Sequence, residues 1–241
     1  MGAEPVSFSP PSVACLAFLL HTPKLLDQGN LNTNGSLQNG DVISLSNDMS
    51  FHGVSGPFLI LDSNNVNSTN FFSEDSSCLR WLDSKPDGSV VYVSFGSLAV
   101  FSQQQLDELA LGLELSGRAF LWVVRPDLAN GSQVVYPPGF GTGLGEIVEW
   151  APQNRVLSHP SIGCFVSHCG WNSTMEGVSN GLRFLCWPYF ADQLHNVRYI
   201  CDKWGIGLKI DFDEVGIRSR YEIKNEIDML FSDNKFLRKT H

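Results

Sequence analysis

A short turn at residues 168–173, His-Cys-Gly-Trp-Asn-Ser, combines side chains and backbone features that could bind an anion. The apolar run 164–167 before it is typical of a buried strand, and residues 173–180 are typical of a helix. N–H groups at a helix N-terminus lack intrahelical partners, and the helix dipole adds positive charge there. Gly170 permits a close backbone approach, and His168 can donate to the same oxygens. The turn therefore predicts a phosphate or pyrophosphate site.

Two side chains of the turn leave a second interpretation open. Asn172 and Ser173 are residue types that cap helices, so they either cap the helix only or also donate to a phosphate. His168 alone would be typical of a structural histidine whose hydrogen bonds are satisfied. Gly170 favours the phosphate site, because a plain cap does not require a close backbone approach.

Cysteines and histidines near the turn raise the separate question of a metal. His159, Cys164, His168 and Cys169 are close in sequence, but their spacing is not that of a zinc finger, and no second cysteine pair follows. We therefore expect no metal. Metal analysis of the purified protein would test the alternative, a zinc-binding interaction module.

Alternating strand and helix patterns place the turn at the edge of a sheet. Residues 89–95 and 119–124 are apolar runs typical of parallel strands buried on both faces. Between them, Ser102 and Gln105 form a capping-box pattern that predicts a helix ending at Gly117. Repeated β–α alternation indicates an α/β fold, a Rossmann-like parallel sheet with helices on both faces that binds ligands at strand carboxyl ends. Further helices are predicted at 74–82, 153–158, 193–204 and 220–231, and further strands at 147–149, 184–187 and 207–210.

Composition excludes several classes of function. The chain has 241 residues, a formal net charge of −9 and a pI of about 5.0, which argues against a general nucleic-acid or membrane-surface binder. The N-terminal apolar run 13–20 is too short to span a membrane, and no basic region precedes it. The 6 cysteines have no disulfide-framework spacing. We therefore expect a cytoplasmic protein with reduced thiols and no membrane span.

The N-terminal part of the chain has a different character. Residues 12–28 have helical periodicity, whereas residues 30–70 are dominated by Asn, Ser, Gly and Asp. A structureless stretch of this length is unusual inside a compact domain. It is either a long linker or the remnant of a larger domain.

The central segment resembles the plant family 1 UDP-glycosyltransferases. The likeness is carried by the motifs at 150–153, 168–173, Glu176 and 192–193, at the spacing of that family's secondary-product glycosyltransferase box. It extends to the Ser-Phe-Gly-Ser segment at 94–97. The resemblance implies the GT-B architecture, in which two Rossmann-like domains face each other and the C-terminal one binds the UDP-sugar. Accordingly, we expect residues 73–241 to form a truncated UDP-sugar-binding domain and residues 1–72 to be a remnant of the N-terminal acceptor domain and linker.

The resemblance also implies a donor-binding role for individual residues. It implies that Trp150 stacks on uracil, that the Ala151 backbone pairs with the uracil edge, and that Gln153 and Glu176 hold the ribose hydroxyls. The remaining implied contacts are to the phosphates, from Ser97, His168, Gly170, Asn172 and Ser173, and to the sugar hydroxyls, from Trp171, Asp192 and Gln193. Gln193 is the family's usual residue for glucose donors, which implies UDP-glucose. The resemblance implies no cofactor besides this donor.

The family's general base is the feature that this sequence lacks. An inverting transfer of glucose to a small-molecule acceptor needs a base to take the acceptor's proton. In the family that base is a histidine near the start of the N-terminal domain. His21 and His52 lie in segments that match no such motif, and only about residues 10–29 resemble a piece of that domain.

Two functions therefore remain open from the sequence. One is a UDP-glycosyltransferase of which this chain carries the donor-binding half. The other is a non-catalytic UDP-sugar binder, or an inert truncated homologue without the base. We expect micromolar to millimolar binding of UDP-glucose with negligible transfer.

Overall fold

The structure is a computed structural model, and it describes residues 77–97, 99–129, 133–141, 143–190 and 192–232. The predictions for residues 12–28 and 30–70, for His21 and His52, and for the domain boundary after residue 72 lie outside these residues.

The described residues alternate between helices and strands, as the sequence predicts. The helices are α1 Ser77–Asp83, α2 Gln103–Leu115, α3 Gln153–Leu157, α4 Trp171–Ser179, α5 Gln193–Arg198 and α6 Arg220–Ser232. Directly after α5, Tyr199–Lys203 is π-helical. The strands are β1 Val90–Ser94, β2 Ala119–Val123, β3 Gly145–Val148, β4 Ile162–Ser167, β5 Arg183–Cys186 and β6 Gly207–Lys209.

The strands form one 6-stranded sheet in the order β3-β2-β1-β4-β5-β6, and every neighbouring pair is parallel. The order reverses between β1 and β4. Their carboxyl ends are in register, because Ser94 pairs with Ser167 and Ser167 pairs with Cys186. Ligands of open parallel sheets bind in the crevice outside the carboxyl ends at such a reversal.

Both faces of the sheet are covered by helices. In β1, Val91 and Val93 pack into a core with α2 and α6, while Val90 and Tyr92 pack into a second core with α1, α3 and α5. A strand with two buried faces has no polar alternation, which explains the continuous apolar runs. The predicted Rossmann-like sheet is confirmed for the described residues.

Helix caps were predicted correctly in part. The Ser102 hydroxyl accepts a hydrogen bond from the Gln105 N–H at 3.2 Å, and Gly117 has a φ of 65° just beyond α2. The Gln105 side chain does not return to the cap. It exchanges two 2.9 Å hydrogen bonds with the backbone of Arg218, whose buried polar groups need partners. The capping box of α2 is therefore only half formed.

Element boundaries differ from the predictions by a few residues at several ends. The helix predicted over 193–204 changes to π-helical geometry at Tyr199, and the Trp204 N–H donates to the Tyr199 carbonyl at 2.8 Å. Among the described residues, no helix has the length and apolar character needed to cross a membrane.

Candidate functional site

The turn that follows β4 has strained backbone. Cys169 has a φ of 63°. Among the residues that the structure describes, it is the only non-glycine residue with a positive φ. The Ser167 hydroxyl accepts from the Cys169 N–H at 3.0 Å, and the Cys169 thiol donates to the Ser167 carbonyl at 3.3 Å. Such a conformation costs about 1–3 kcal/mol and persists where the surroundings enforce it, often at functional sites.

Because of this sharp turn, α4 begins earlier than predicted. Gly170 is its N-cap, and no side chain caps the helix. The prediction that Asn172 or Ser173 is the cap is therefore wrong, since both lie inside the first turn. The first intrahelical bond runs from the Thr174 N–H to the Gly170 carbonyl at 2.8 Å. The N–H groups of residues 171–173 consequently have no acceptor within the helix, and such a helix end can serve as an anion-binding end.

The His168 ring lies against two glycines. A Cβ at Gly96 would be 2.7 Å from the ring atoms Cε1 and Nε2, and a Cβ at Gly170 would be 2.5 Å from Nε2. Burial lowers the pKa of His168 to about 4, although Asp192 and the Ser94 backbone act in the opposite direction. At neutral pH His168 is therefore an uncharged imidazole, which donates one hydrogen bond rather than supplying a positive charge.

Gln153 joins α3 to α4 through a short polar network. Its amide nitrogen donates to Glu176 Oε2 at 2.6 Å and to the Ser173 hydroxyl at 3.0 Å. Its amide oxygen accepts from the Tyr92 hydroxyl at 3.4 Å. Burial raises the pKa of Glu176, and the bond from Gln153 partly counteracts that rise. The structure thus brings the predicted site residue Gln153 on α3 into contact with two others, Ser173 and Glu176, on α4.

Two residues next to Gln153 were predicted to bind a base. Trp150 is half-buried just beyond the carboxyl end of β3, and Ala151 packs into the core beside Val148. This position puts an indole and a main-chain segment at the same edge of the sheet as the Gln153 network. The arrangement suits a flat heterocycle next to a ribose.

A loop after β5 presents the pair Asp192 and Gln193. The Gln193 side chain is buried, and its oxygen accepts from the N–H groups of Tyr189 and Phe190 at 2.7 and 3.0 Å. Asp192 Oδ2 accepts from the Asn196 amide at 3.0 Å. The Gln193 oxygen therefore holds its own loop, which leaves the amide nitrogen as the group that could meet a ligand.

Ser97 is exposed in the loop after β1, and a buried arginine fixes that loop. The Arg125 guanidinium donates to the carbonyls of Ser97 and Ala99 at 2.7 and 2.6 Å, and to Asp127 at 2.7 Å. Sequence reasoning missed Arg125. The signal was present, because a single arginine directly follows the apolar strand run at 119–124.

The predicted residues thus lie at the carboxyl ends of four strands. Gln153, Ser173 and Glu176 are in direct contact, and Gly170 lies against His168. Trp171 is half-buried and Asn172 is exposed at the start of α4. Besides Arg125, sequence reasoning missed three residues that contact this set, namely Tyr92, Gly96 and Asn196.

The cysteines and histidines that the structure describes do not form a metal cluster. Within the described residues, no group of three or more His, Cys, Asp or Glu side chains is placed to hold a metal ion. His159 lies at the opposite edge of the sheet, where its ring contacts the Ser161 hydroxyl at 2.9 Å and Asp83 at 3.2 Å. The zinc-module alternative therefore has no support from these residues.

A parallel sheet has its strand order reversed where a helix N-terminus lies beside a half-buried amide–carboxylate network, and this arrangement defines a Rossmann-like domain. The sequence model of the "UDP-glucoronosyl and UDP-glucosyl transferase" family matches residues 65–238. The chain belongs to this family. It is 49% identical over 173 residues to UDP-glycosyltransferase 83A1 of Arabidopsis thaliana, covering 72% of this chain and 36% of that protein.

Solved structures of similar proteins share the fold. Os79 from O. sativa in complex with UDP matches with a TM-score of 0.66 and 37% identity, covering 73% of this chain and 39% of that one. Phytolacca americana UGT2, complexed with UDP-2fluoro-glucose and pterostilbene, matches with a TM-score of 0.61 and 41% identity, covering 68% and 37%. The predicted GT-B relationship is confirmed, and the chain spans little more than a third of each relative.

Proposed function

We propose that this chain binds UDP-glucose at the carboxyl edge of the sheet. We further propose that it supplies the donor half of an inverting transfer of glucose to a small-molecule acceptor. One observation carries the proposal. The Gln153 side chain at the start of α3 binds Ser173 and Glu176 on the first turns of α4, close to the N–H groups at that helix's N-terminus. A diol binder and an anion binder are thereby adjacent, as a nucleoside diphosphate requires.

Trp150, Ala151, Gln153 and Glu176 form the proposed uridine subsite. An indole face suits stacking on uracil, and the Ala151 main chain suits its polar edge. The Glu176 carboxylate can accept from both hydroxyls of the ribose, and charged acceptors make the stronger hydrogen bonds. Gln153 holds that carboxylate at 2.6 Å, so its orientation is set before a ligand arrives.

The start of α4, together with His168, Gly170 and Ser97, forms the proposed diphosphate subsite. When the bond to glucose breaks, negative charge grows on the departing diphosphate. Fixed N–H donors and a helix N-terminus stabilise that charge without reorganising. The uncharged His168 adds a hydrogen-bond donor to this set. Backbone and imidazole donors can do this without a metal, and we propose that no cofactor besides the donor is used.

Trp171, Asp192 and Gln193 form the proposed sugar subsite, with a carboxylate and an amide that suit neighbouring hydroxyls. The acceptor must still lose a proton to a general base, and we assign that role to no described residue. We also propose a cytoplasmic location. It is supported by the free thiols of Cys78, Cys164, Cys169, Cys186 and Cys201.

Calorimetric titration with UDP-glucose tests the proposal, with ADP-glucose as the control for the uracil subsite. We expect saturable binding of one UDP-glucose per chain in the micromolar to millimolar range, and much weaker binding of ADP-glucose. A product assay against a panel of phenols and alcohols then separates a working transferase from a binder. Absence of binding to UDP-glucose at millimolar concentration would contradict the proposal.

A further inference from the structure

Asn196 is a buried amide that bridges two segments of the site. It is 2% exposed on α5. Its nitrogen donates to the Cys169 carbonyl at 3.0 Å and to Asp192 Oδ2 at 3.0 Å. A primary amide nitrogen carries two protons, so each acceptor takes one of them and the donor capacity is filled.

The Cys169 carbonyl belongs to the strained residue that precedes the N-cap of α4. In a trans peptide the carbonyl and the next N–H point in opposite directions. A hydrogen bond that fixes the Cys169 carbonyl therefore also fixes the N–H of Gly170, at the beginning of the anion-binding end. The bond from Asn196 thus stabilises the orientation on which the proposed diphosphate subsite depends.

The second acceptor belongs to the proposed sugar subsite. The bond from Asn196 occupies Oδ2 of Asp192 and leaves Oδ1 for a ligand hydroxyl. A carboxylate held at one oxygen loses less conformational entropy when the other oxygen binds a ligand. Asn196 therefore acts on both ends of the glucose–diphosphate unit without being close in sequence to the turn.

We propose that Asn196 is a positioning residue that couples the turn at residues 168–173 to Asp192. The proposal rests on the proposed function, because both segments are assigned there to the donor. If Asn196 only satisfied its own hydrogen bonds in the core, removing it would lower stability without affecting Asp192. Coupling makes a different prediction, since the contribution of Asp192 would then depend on Asn196.

A double-mutant cycle distinguishes these cases. We expect Asn196→Ala and Asp192→Ala each to weaken UDP-glucose binding about tenfold, the size expected for hydrogen bonds involving a charged group. The double variant should lose clearly less affinity than the roughly hundredfold expected for independent effects, because the Asn196–Asp192 hydrogen bond contributes to both single losses. Asn196→Asp replaces the amide nitrogen by a carboxylate oxygen, which would face the Cys169 carbonyl oxygen and Asp192 Oδ2. This variant should therefore lose more UDP-glucose affinity than Asn196→Ala.

Val197→Ala is the matched control on the same helix. Val197 is 4% exposed and packs in the core, so its truncation lowers the melting temperature but should leave the affinity within about twofold. If Asn196→Ala fails to fold, Asn196→Ser can be used instead, because its hydroxyl keeps one hydrogen-bond donor. We expect its loss of UDP-glucose affinity to be smaller than about tenfold.

Two results would overturn the inference while the unchanged chain still binds UDP-glucose. One is an Asn196 variant whose affinity stays within about twofold of the unchanged chain. The other is a double variant whose losses are fully additive. If the unchanged chain binds neither UDP nor UDP-glucose, the proposed function fails, and this inference fails with it.

Discussion

The two edges of the sheet differ in what their backbone offers to a ligand. At the carboxyl edge, α4 begins beside the half-buried His168 and the strained Cys169. At the amino edge lies a groove of about 270 Å³ lined by residues such as Gly88, His159 and Arg183. Helices α3 and α4 both end at that groove, where their last carbonyl groups lie.

The two edges differ in the direction of the helix dipoles, and this difference, rather than the presence of a groove, determines which edge favours an anion. The N-terminus of a helix carries partial positive charge, and its C-terminus carries partial negative charge. The polar groups around the amino-edge groove also bind one another, since His159 contacts Asp83 and Ser161 and the Arg183 guanidinium donates to the Leu230 carbonyl. A diphosphate is therefore favoured at the carboxyl edge rather than in the amino-edge groove.

The largest effect that we expect from the carboxyl edge is on the stability of the protein in acid, through His168. The folded-state pKa of His168 is about 4, below its ordinary value of 6.5. As pH falls from 6.5 towards 4, the unfolded chain gains a proton that the folded chain does not. His168 should therefore contribute a loss of roughly 3 kcal/mol in the free energy of unfolding over that window. Denaturant unfolding at several pH values would measure it.

The variant His168→Gln isolates this contribution. The raised pKa values of Glu176 and Glu226 act with the opposite sign, so the difference between the unchanged chain and the variant is the relevant quantity. The variant should lose less stability between pH 6.5 and 4. Equal pH dependence in both proteins would show that His168 is not held neutral in the folded state.

Glu176→Ala should weaken UDP-glucose binding by about a hundredfold. It removes the proposed acceptor for the ribose hydroxyls and leaves the Gln153 amide without its 2.6 Å partner. Asp83→Ala, which deletes a carboxylate at the amino edge, should keep the affinity within about twofold. Calorimetry on both variants measures the two affinities. A larger loss of UDP-glucose affinity in Asp83→Ala than in Glu176→Ala would contradict the assignment of the ligand to the carboxyl edge.

Gly170→Ala should weaken binding about tenfold, because its Cβ would be 2.5 Å from the His168 ring and would displace it. Gly163→Ala is the counterpart near the amino edge, where a Cβ would be 2.3 Å from the Gly88 carbonyl oxygen. Both changes should lower the melting temperature, but only Gly170→Ala should alter affinity. Equal affinity losses would mean that the two edges are not functionally distinct.

Asn172→Ala should have the smallest effect, about threefold in UDP-glucose affinity. The side chain is exposed, and we expect it to add one hydrogen bond to a phosphate whose main donors are backbone N–H groups. The affinity ratio measured by calorimetry checks this. A loss of a hundredfold would mean that side chains, rather than the helix end, hold the diphosphate.

Local patterns predicted much of the architecture from the sequence. Continuous apolar runs such as 89–95 are typical of strands buried on both faces, and the motif spacing pointed to most of the residues that lie at the carboxyl edge. The predicted start of α4 was wrong because the true start depends on the positive φ of Cys169. The residue types in the turn do not indicate that angle. A cysteine is not a residue expected at positive φ.

Contacts between distant segments were the other limit. The Gln105 side chain binds the Arg218 backbone instead of its own helix cap, and Tyr92 reaches Gln153 across the end of the sheet. From the sequence, Asn196 is predicted only as a residue of the helix at 193–204, with no role in the site. Its two acceptors meet only once α5 packs beside the turn after β4. Such partners follow from tertiary packing, which local patterns do not encode.

Amide hydrogen exchange with and without UDP-glucose tests the central claim most directly, because the proposed ligand donors are themselves backbone N–H groups. The account predicts slower exchange at residues 168–176 when UDP-glucose is bound, and unchanged exchange at residues 157–163 beside the amino-edge groove. Protection confined to residues 157–163, or binding without protection at 168–176, would contradict it.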